Sequence, residues 1–185
     1  MRIIHTIALL SGLWLGSQPA WAGGVAVVDF QQAINEVADG ERARTELQAL
    51  EEQKQNEINA LEQQLAAKEQ QFNSEFSTYQ SQVQMNILTP EARAQKEQQL
   101  GQLQNEYMTL QQQYQQTGMQ AEMELQQTYA EKMDAIITKM RTVSEAIAQE
   151  RGLDMVYEVT ESGLVYIGPN VTDITPELIQ RYNGN

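Results

Sequence analysis

LDMVYEVTESGLVYIG, residues 153–168, decides the fold class of this chain. It is the one stretch where apolar and polar residues alternate with the period of a strand. Met155, Tyr157 and Val159 fall on one side, Val156 and Glu158 on the other. Glu161-Ser162-Gly163 has the composition of a turn, and residues 164–167 read as the returning strand of a β-hairpin. Back to about residue 41, the chain is Gln, Glu and Ala with Leu at helical spacing. A long polar helical chain ending in a small apolar sheet is α+β, mostly α.

Outward from the hairpin, Arg151-Gly152 has the form of a helix C-cap. Downstream, Gly168-Pro169-Asn170 breaks the strand. Thr175-Pro176-Glu177 then opens a short helix through Leu178, Ile179 and Tyr182, with threonine as cap and proline in the first turn. Near the N-terminus, Val25-Ala26-Val27-Val28 reads as a buried strand. Asp29 is placed as an N-cap before Phe30, Ala33, Ile34 and Val37, and the segment closes at Asp39-Gly40.

Between these ends the periodicity is that of a coiled coil. Residues 41–84 contain neither Gly nor Pro, and Leu47, Leu50, Ile58, Leu61, Leu65, Phe72, Phe76, Tyr79 and Val83 recur mostly in steps of three, four and seven. Lys54 and Lys68 occupy seam positions, which predicts imperfect packing there. At 1.5 Å per residue this helix is about 65 Å long. Thr89-Pro90-Glu91 restarts the chain as cap, first helical residue and favourable acid. The second helix runs to about Glu150 with a seam of Leu100, Leu103, Tyr107, Leu110, Tyr114, Thr117 and Ala121. After a slip near Gly118 it continues through Leu125, Met133, Ile136, Met140, Val143 and Ile147. Gly118 reads as a bend or loosened packing. Two such helices around a tight turn near 85–91 make an antiparallel helical hairpin.

Composition narrows the chemistry. The 185 residues carry 25 Asp+Glu against 12 Lys+Arg, a formal charge of -13, with one His and no Cys. Arg2, the apolar run 3–15 and Ala20-Trp21-Ala22 have the layout of a secretory signal peptide over residues 1–22. Cleavage there removes His5, leaving a mature chain without His or Cys. Histidine- or cysteine-based nucleophiles and zinc sites are then impossible, and without a Cys lipid attachment is excluded. No EF-hand spacing and no phosphate-binding glycine loop occurs, so no cofactor or metal is expected, and no enzyme. The acidic balance weighs against nucleic acid, lipopolysaccharide or anionic membrane as direct partners.

Residues 23–40 and 150–185 make a β-body of three strands, and 41–149 the helical hairpin. The body is too small for a comfortable monomeric core. Its open strand edges are most simply closed by further copies of the chain, in a ring with the hairpins projecting from it.

The two ends, VAVVDFQQAINE at 25–36 and AIAQERGLDMVYEVTESGLVYIGPNVTDITPELIQRYN at 146–183, resemble the Skp/OmpH family of periplasmic chaperones. The resemblance is carried by residues 25–29, 152–156, Val165-Tyr166, Asp173-Ile174-Thr175, Leu178 and Ile179. It implies a periplasmic homotrimer whose strands form a central body. Its three hairpins would surround a cavity and hold unfolded outer-membrane proteins without ATP. The alternative is an exported coiled-coil spacer or adaptor of the cell envelope.

A holdase needs many weak, adaptable contacts, which methionine and aromatic side chains supply. The candidates are Phe72, Phe76, Tyr79, Met85, Ile87, Leu88, Met108, Met119 and Met123. The competing role for those in the seam is to hold the two arms together. Val25, Val27, Met155, Tyr157, Leu164 and Tyr166 are assigned to packing between subunits.

Overall fold

The computed structural model describes residues 23–160 and 163–184. The expected signal peptide and two residues of the expected turn, Glu161 and Ser162, lie outside the described residues. In chain order the elements are β1 (Gly24–Val28), α1 (Phe30–Glu36), α2 (Ala38–Gln84), α3 (Pro90–Arg151), β2 (Leu153–Glu158), β3 (Thr172–Asp173) and α4 (Thr175–Gly184).

The sheet differs from the expected one. Its order is β2-β1-β3, and both neighbours run parallel to β1. Residues 164–167 form no strand, and β3 lies further on, at Thr172–Asp173. A parallel pair needs a long crossover, and the whole helical hairpin is the crossover from β1 to β2. β2 and β3 occupy both edges of β1, and no strand among the described residues adds to the outer edge of β2, where the hairpin was expected to return. Val165 is 99% exposed.

One face of this sheet meets the helices. Ala26 and Val28 of β1 join Ala33, Val37, Ala43, Ile136, Met140, Val143, Ile147, Ile174, Leu178 and Tyr182 in a single buried cluster. The α3 members recur at four, three and four residues, so one stripe of that helix supplies the floor. The body thus draws on the base of both arms, beyond the residues 23–40 and 150–185 assigned to it.

Caps explain the helix boundaries. Asp29 accepts from the Gln32 amide at 2.8 Å, and Gly152 closes α3 with φ 63°. Thr89 accepts from the Ala92 amide at 3.2 Å with Pro90 in the first turn. Thr175 departs from its expected capping role. Its hydroxyl accepts from the Asp29 amide at 2.9 Å, tying the two ends of the chain, while Asp173 accepts from the Thr175 amide at 2.8 Å.

The expected break at Asp39-Gly40 is absent; the helix axis changes at Val37, whose ψ is 147°. Gly40 lies buried inside α2, where a Cβ would sit 1.8 Å from the Ile34 carbonyl oxygen. It is there for close approach, not to end a helix. The start of α2 has no side-chain cap of its own, and Asn183 of α4 accepts from the Ala38 amide at 2.9 Å instead.

Tyr182 completes this junction. Its hydroxyl donates to Asp39 at 2.8 Å, and the Lys139 ammonium lies 4.0 Å from its ring centroid. That hydrogen bond, followed by Arg42 and Lys139, holds the Asp39 carboxyl below its ordinary value. Burial, then the Asp39 hydrogen bond, pushes the Tyr182 phenol well up. A depressed carboxyl stabilises the fold above its unfolded pKa of about 4, and this is lost as pH falls through the folded value. The raised phenol contributes fully below about pH 10 and loses its contribution at more alkaline pH. Tyr182→Phe is therefore expected to cost about 1–2 kcal/mol at neutral pH and less in acid strong enough to protonate Asp39. Urea unfolding at both pH values checks this; an equal loss at both would show that the ring alone matters.

Candidate functional site

The arms α2 and α3 pack antiparallel, and burial traces their seam. On α2 the covered positions run Leu47, Leu50, Lys54, Ile58, Leu61, Leu65, Lys68 and Phe72. On α3 they run Leu100, Leu103, Tyr107, Leu110, Tyr114, Thr117, Ala121 and Leu125. Steps of three and four alternate except at Leu50-Lys54-Ile58 and Thr117-Ala121-Leu125, where two fours follow each other. Such insertions locally unwind a coiled coil. The slip expected near Gly118 is thus a stutter within an unbroken helix.

The two seam lysines are accommodated by pairing across the arms. Lys54 reaches Glu124 at 2.7 Å and Lys68 reaches Glu106 at 2.8 Å. Lys96–Glu75 at 3.0 Å, Lys132–Glu46 and Lys139–Asp39 at 3.7 Å add further cross-arm pairs. Hydrogen bonding to Glu124 holds the Lys54 ammonium above its ordinary value, and Lys132 holds Glu46 below its own. The acids Glu46, Glu106 and Glu124 stand in solvent, which screens the attraction and leaves each pair a small part in stability. They fix register more than stability.

At the tip, α2 ends with Met85 and the chain turns through Asn86 at φ 51°. Met85 and Ile87 are exposed, and Leu88 is half-buried. The tip cations are engaged: Arg93 lies 3.4 Å from Glu97, and Lys96 pairs with Glu75. Tyr79 donates to Glu97 at 2.5 Å and accepts from Arg93 at 3.3 Å. The Tyr79 hydrogen bond, followed by Glu97, shifts the Arg93 guanidinium upward, so it remains charged.

The candidate contact residues divide into two groups. Phe72, Phe76, Tyr79, Met85, Ile87 and Leu88 lie on the distal part of the hairpin. There the rings of Phe72 and Phe76 stack with centroids 5.9 Å apart and planes 7° apart. Phe72 and Tyr79 are half-buried, as seam residues are, whereas Phe76 is 41% exposed. Met108, Met119 and Met123 stand apart on α3, each more than half exposed. The two groups lie on separate parts of the hairpin and do not converge. Sequence reasoning missed Tyr129, which is 56% exposed beside a groove floored by Leu47 and Leu125. Its displacement from the seam was the available signal.

On the body, register pairs Val25 with Met155 and Val27 with Tyr157, on the sheet face turned away from the core. Val25, Met155, Tyr157, Leu164 and Tyr166 are exposed, and so are the unassigned Val165 and Ile167. Val27 is the exception. It is 6% exposed and already covered within the chain. Among the described residues no group of three or more His, Cys, Asp or Glu is placed to hold a metal. No helix among them is long and apolar enough to cross a membrane.

No curated protein matches the sequence significantly. A solved structure of a candidate outer membrane chaperone (OmpH-like) from Caulobacter crescentus CB15 is similar in fold. The TM-score is 0.53 and the identity 14%, over 100% of this chain and 90% of that one. The sequence itself matches the family model for outer membrane protein (OmpH-like) over residues 24–182. With both ends and the arms inside that match, the chain belongs to the OmpH-like family.

Proposed function

We propose that the protein is an ATP-independent periplasmic holdase for unfolded outer-membrane proteins. The observation that carries this is the surface of the arms. A stiff, hydrophilic hairpin displays Phe76, Met85, Ile87, Met108, Met119 and Met123 to solvent, dispersed along its length. Dispersed flexible apolar contacts suit a heterogeneous client and are of no use to a spacer. Family membership supports a chaperone role, and the OmpH-like family is not an enzyme family.

Self-association follows from the body. The outward sheet face and residues 164–167 form an apolar surface that further copies would cover, in a homotrimer with the arms around a cavity. Direct attachment to lipopolysaccharide or anionic lipid is disfavoured by the charge of -13 and by the engagement of Arg93 and Lys96 with acids.

The test is to dilute a urea-unfolded outer-membrane protein into the purified chain without nucleotide, after sizing the chain by light scattering. A three-chain mass and suppression of aggregation at about one trimer per client are expected. A monomer would remove the shared body. Undiminished aggregation would remove the holdase reading and favour the envelope spacer.

A further inference from the structure

Residues 107–121 of α3 contain no Asp, Glu, Lys or Arg, although the chain holds 25 acidic and 12 basic residues. Within and just beyond this window lie Met108, Met119 and Met123, 58%, 59% and 61% exposed. Eleven and four residues separate them, so they fall within about 60° of one another around the helix. The covered seam residues Leu110, Tyr114 and Ala121 lie on the opposite side, against α2. The three thioethers therefore form one outward stripe. The outward side of α2 is different in kind, carrying exposed Asn56, Asn59, Gln63 and Gln70.

We infer that this stripe is the grip for apolar segments of an unfolded chain, and that oxidation of its thioethers to sulfoxides releases the grip. The inference rests on the holdase reading and adds its regulation. The occupant follows from charge: from Met108 to Met119 the face carries no ion in a strongly acidic protein, and Glu122 and Glu124 flank only its end at Met123, so an apolar segment meets little charge to desolvate there. The sensitivity follows from sulfur chemistry. Hydrogen peroxide transfers one oxygen atom to the sulfur lone pair. An S–O bond forms, the O–O bond breaks, sulfur loses two electrons and water leaves. The product is polar where the thioether was apolar and adaptable.

Position makes this a switch and not damage. Met140, the core methionine, is 0% exposed, and Met133 packs against the core cluster. Oxidant reaches the stripe before these core methionines, and the three exposed side chains it alters lie outside the buried cluster. With no cysteine in the sequence, methionine is the sulfur available to it. A reductase working with a dithiol reverses the step, since the sulfoxide oxygen leaves as water while the dithiol becomes a disulfide.

The test treats the full chain with hydrogen peroxide, counts added oxygens at each methionine by peptide mass spectrometry, and repeats the client-dilution assay. A second protein carries Met108→Leu, Met119→Leu and Met123→Leu, which keeps the stripe apolar but unoxidisable. The oxidised natural chain should need about tenfold more protein to suppress aggregation, with unchanged circular dichroism, because three side chains lose their apolar burial. The leucine variant should keep its capture after the same treatment, although Met85 and Met155 are also exposed. Equal loss in both proteins, or full capture by a chain oxidised at all three sites, would overturn the proposal while leaving the holdase reading intact. Failure of the untreated chain to capture client would remove both.

Discussion

Leu178→Ala is expected to lower stability by about 2–5 kcal/mol, the range for deleting a fully buried leucine from a core that relaxes incompletely. Leu178 is 0% exposed and lies in α4, among residues contributed by β1, α1, α2 and α3. Few atoms near it can collapse into the space, because the strand and three helices that converge there are fixed by their own hydrogen bonds. Urea unfolding at one fixed protein concentration is the measurement, since self-association would couple stability to concentration. The midpoint should fall with the slope little changed. A loss below 1 kcal/mol would mean that α4 is peripheral to the body.

Gly40→Ala comes second, and its sign is the informative part. Helix propensity alone favours alanine by about 1 kcal/mol. The new Cβ, however, would lie 1.8 Å from the Ile34 carbonyl oxygen, which belongs to backbone and cannot rotate aside. Steric cost prevails, and a net loss of about 2–3 kcal/mol is expected. Gly118→Ala is the internal control. Nothing lies within 4 Å of a Cβ there, so the same substitution should stabilise by about 0.5–1 kcal/mol. Two glycine-to-alanine changes in long helices would thus shift the urea midpoint in opposite directions. Stabilisation by both would refute the close approach of α2 to α1.

What could be read from the sequence was what depends on near neighbours. The arms, their seam and the caps at Asp29, Thr89 and Gly152 are set by residues within a turn or two of each other, and apart from Phe76, which leaves the seam, they lie where the spacing puts them. The union of residues 25–28 with the segment after the arms was legible, but the returning strand was misread for the opposite reason. Alternation in residues 153–167 is a local signal for a hairpin, whereas residues 164–167 form no strand and the third strand, at Thr172–Asp173, pairs with β1. Periodicity carries no information about which distant edge is free. Gly40 was misread similarly, because a glycine used for contact with another helix looks in sequence like one that ends a helix. For the candidate contacts, distance from the seam was legible and degree of cover was not. The arms hide much of Phe72 and Tyr79 while leaving Phe76 open, and the body covers Val27 but leaves Val25 exposed.

The central position of β1 has a consequence for how the chain acquires its shape. β1 precedes every other described element, yet among the described residues its sheet partners are strands that follow both arms. Its neighbours do not exist until the chain is nearly complete, and joining ends so far apart costs a loop-closure entropy that grows with separation. Helices form from local contacts on a much faster timescale. As the arms zip from the turn at 85–89 towards their base, they carry residues 38 and 151 to the same end, and the long closure becomes a short one. The hairpin proposed above as a grip would therefore also guide its own assembly, delivering β2 to a strand left unpaired since it was made.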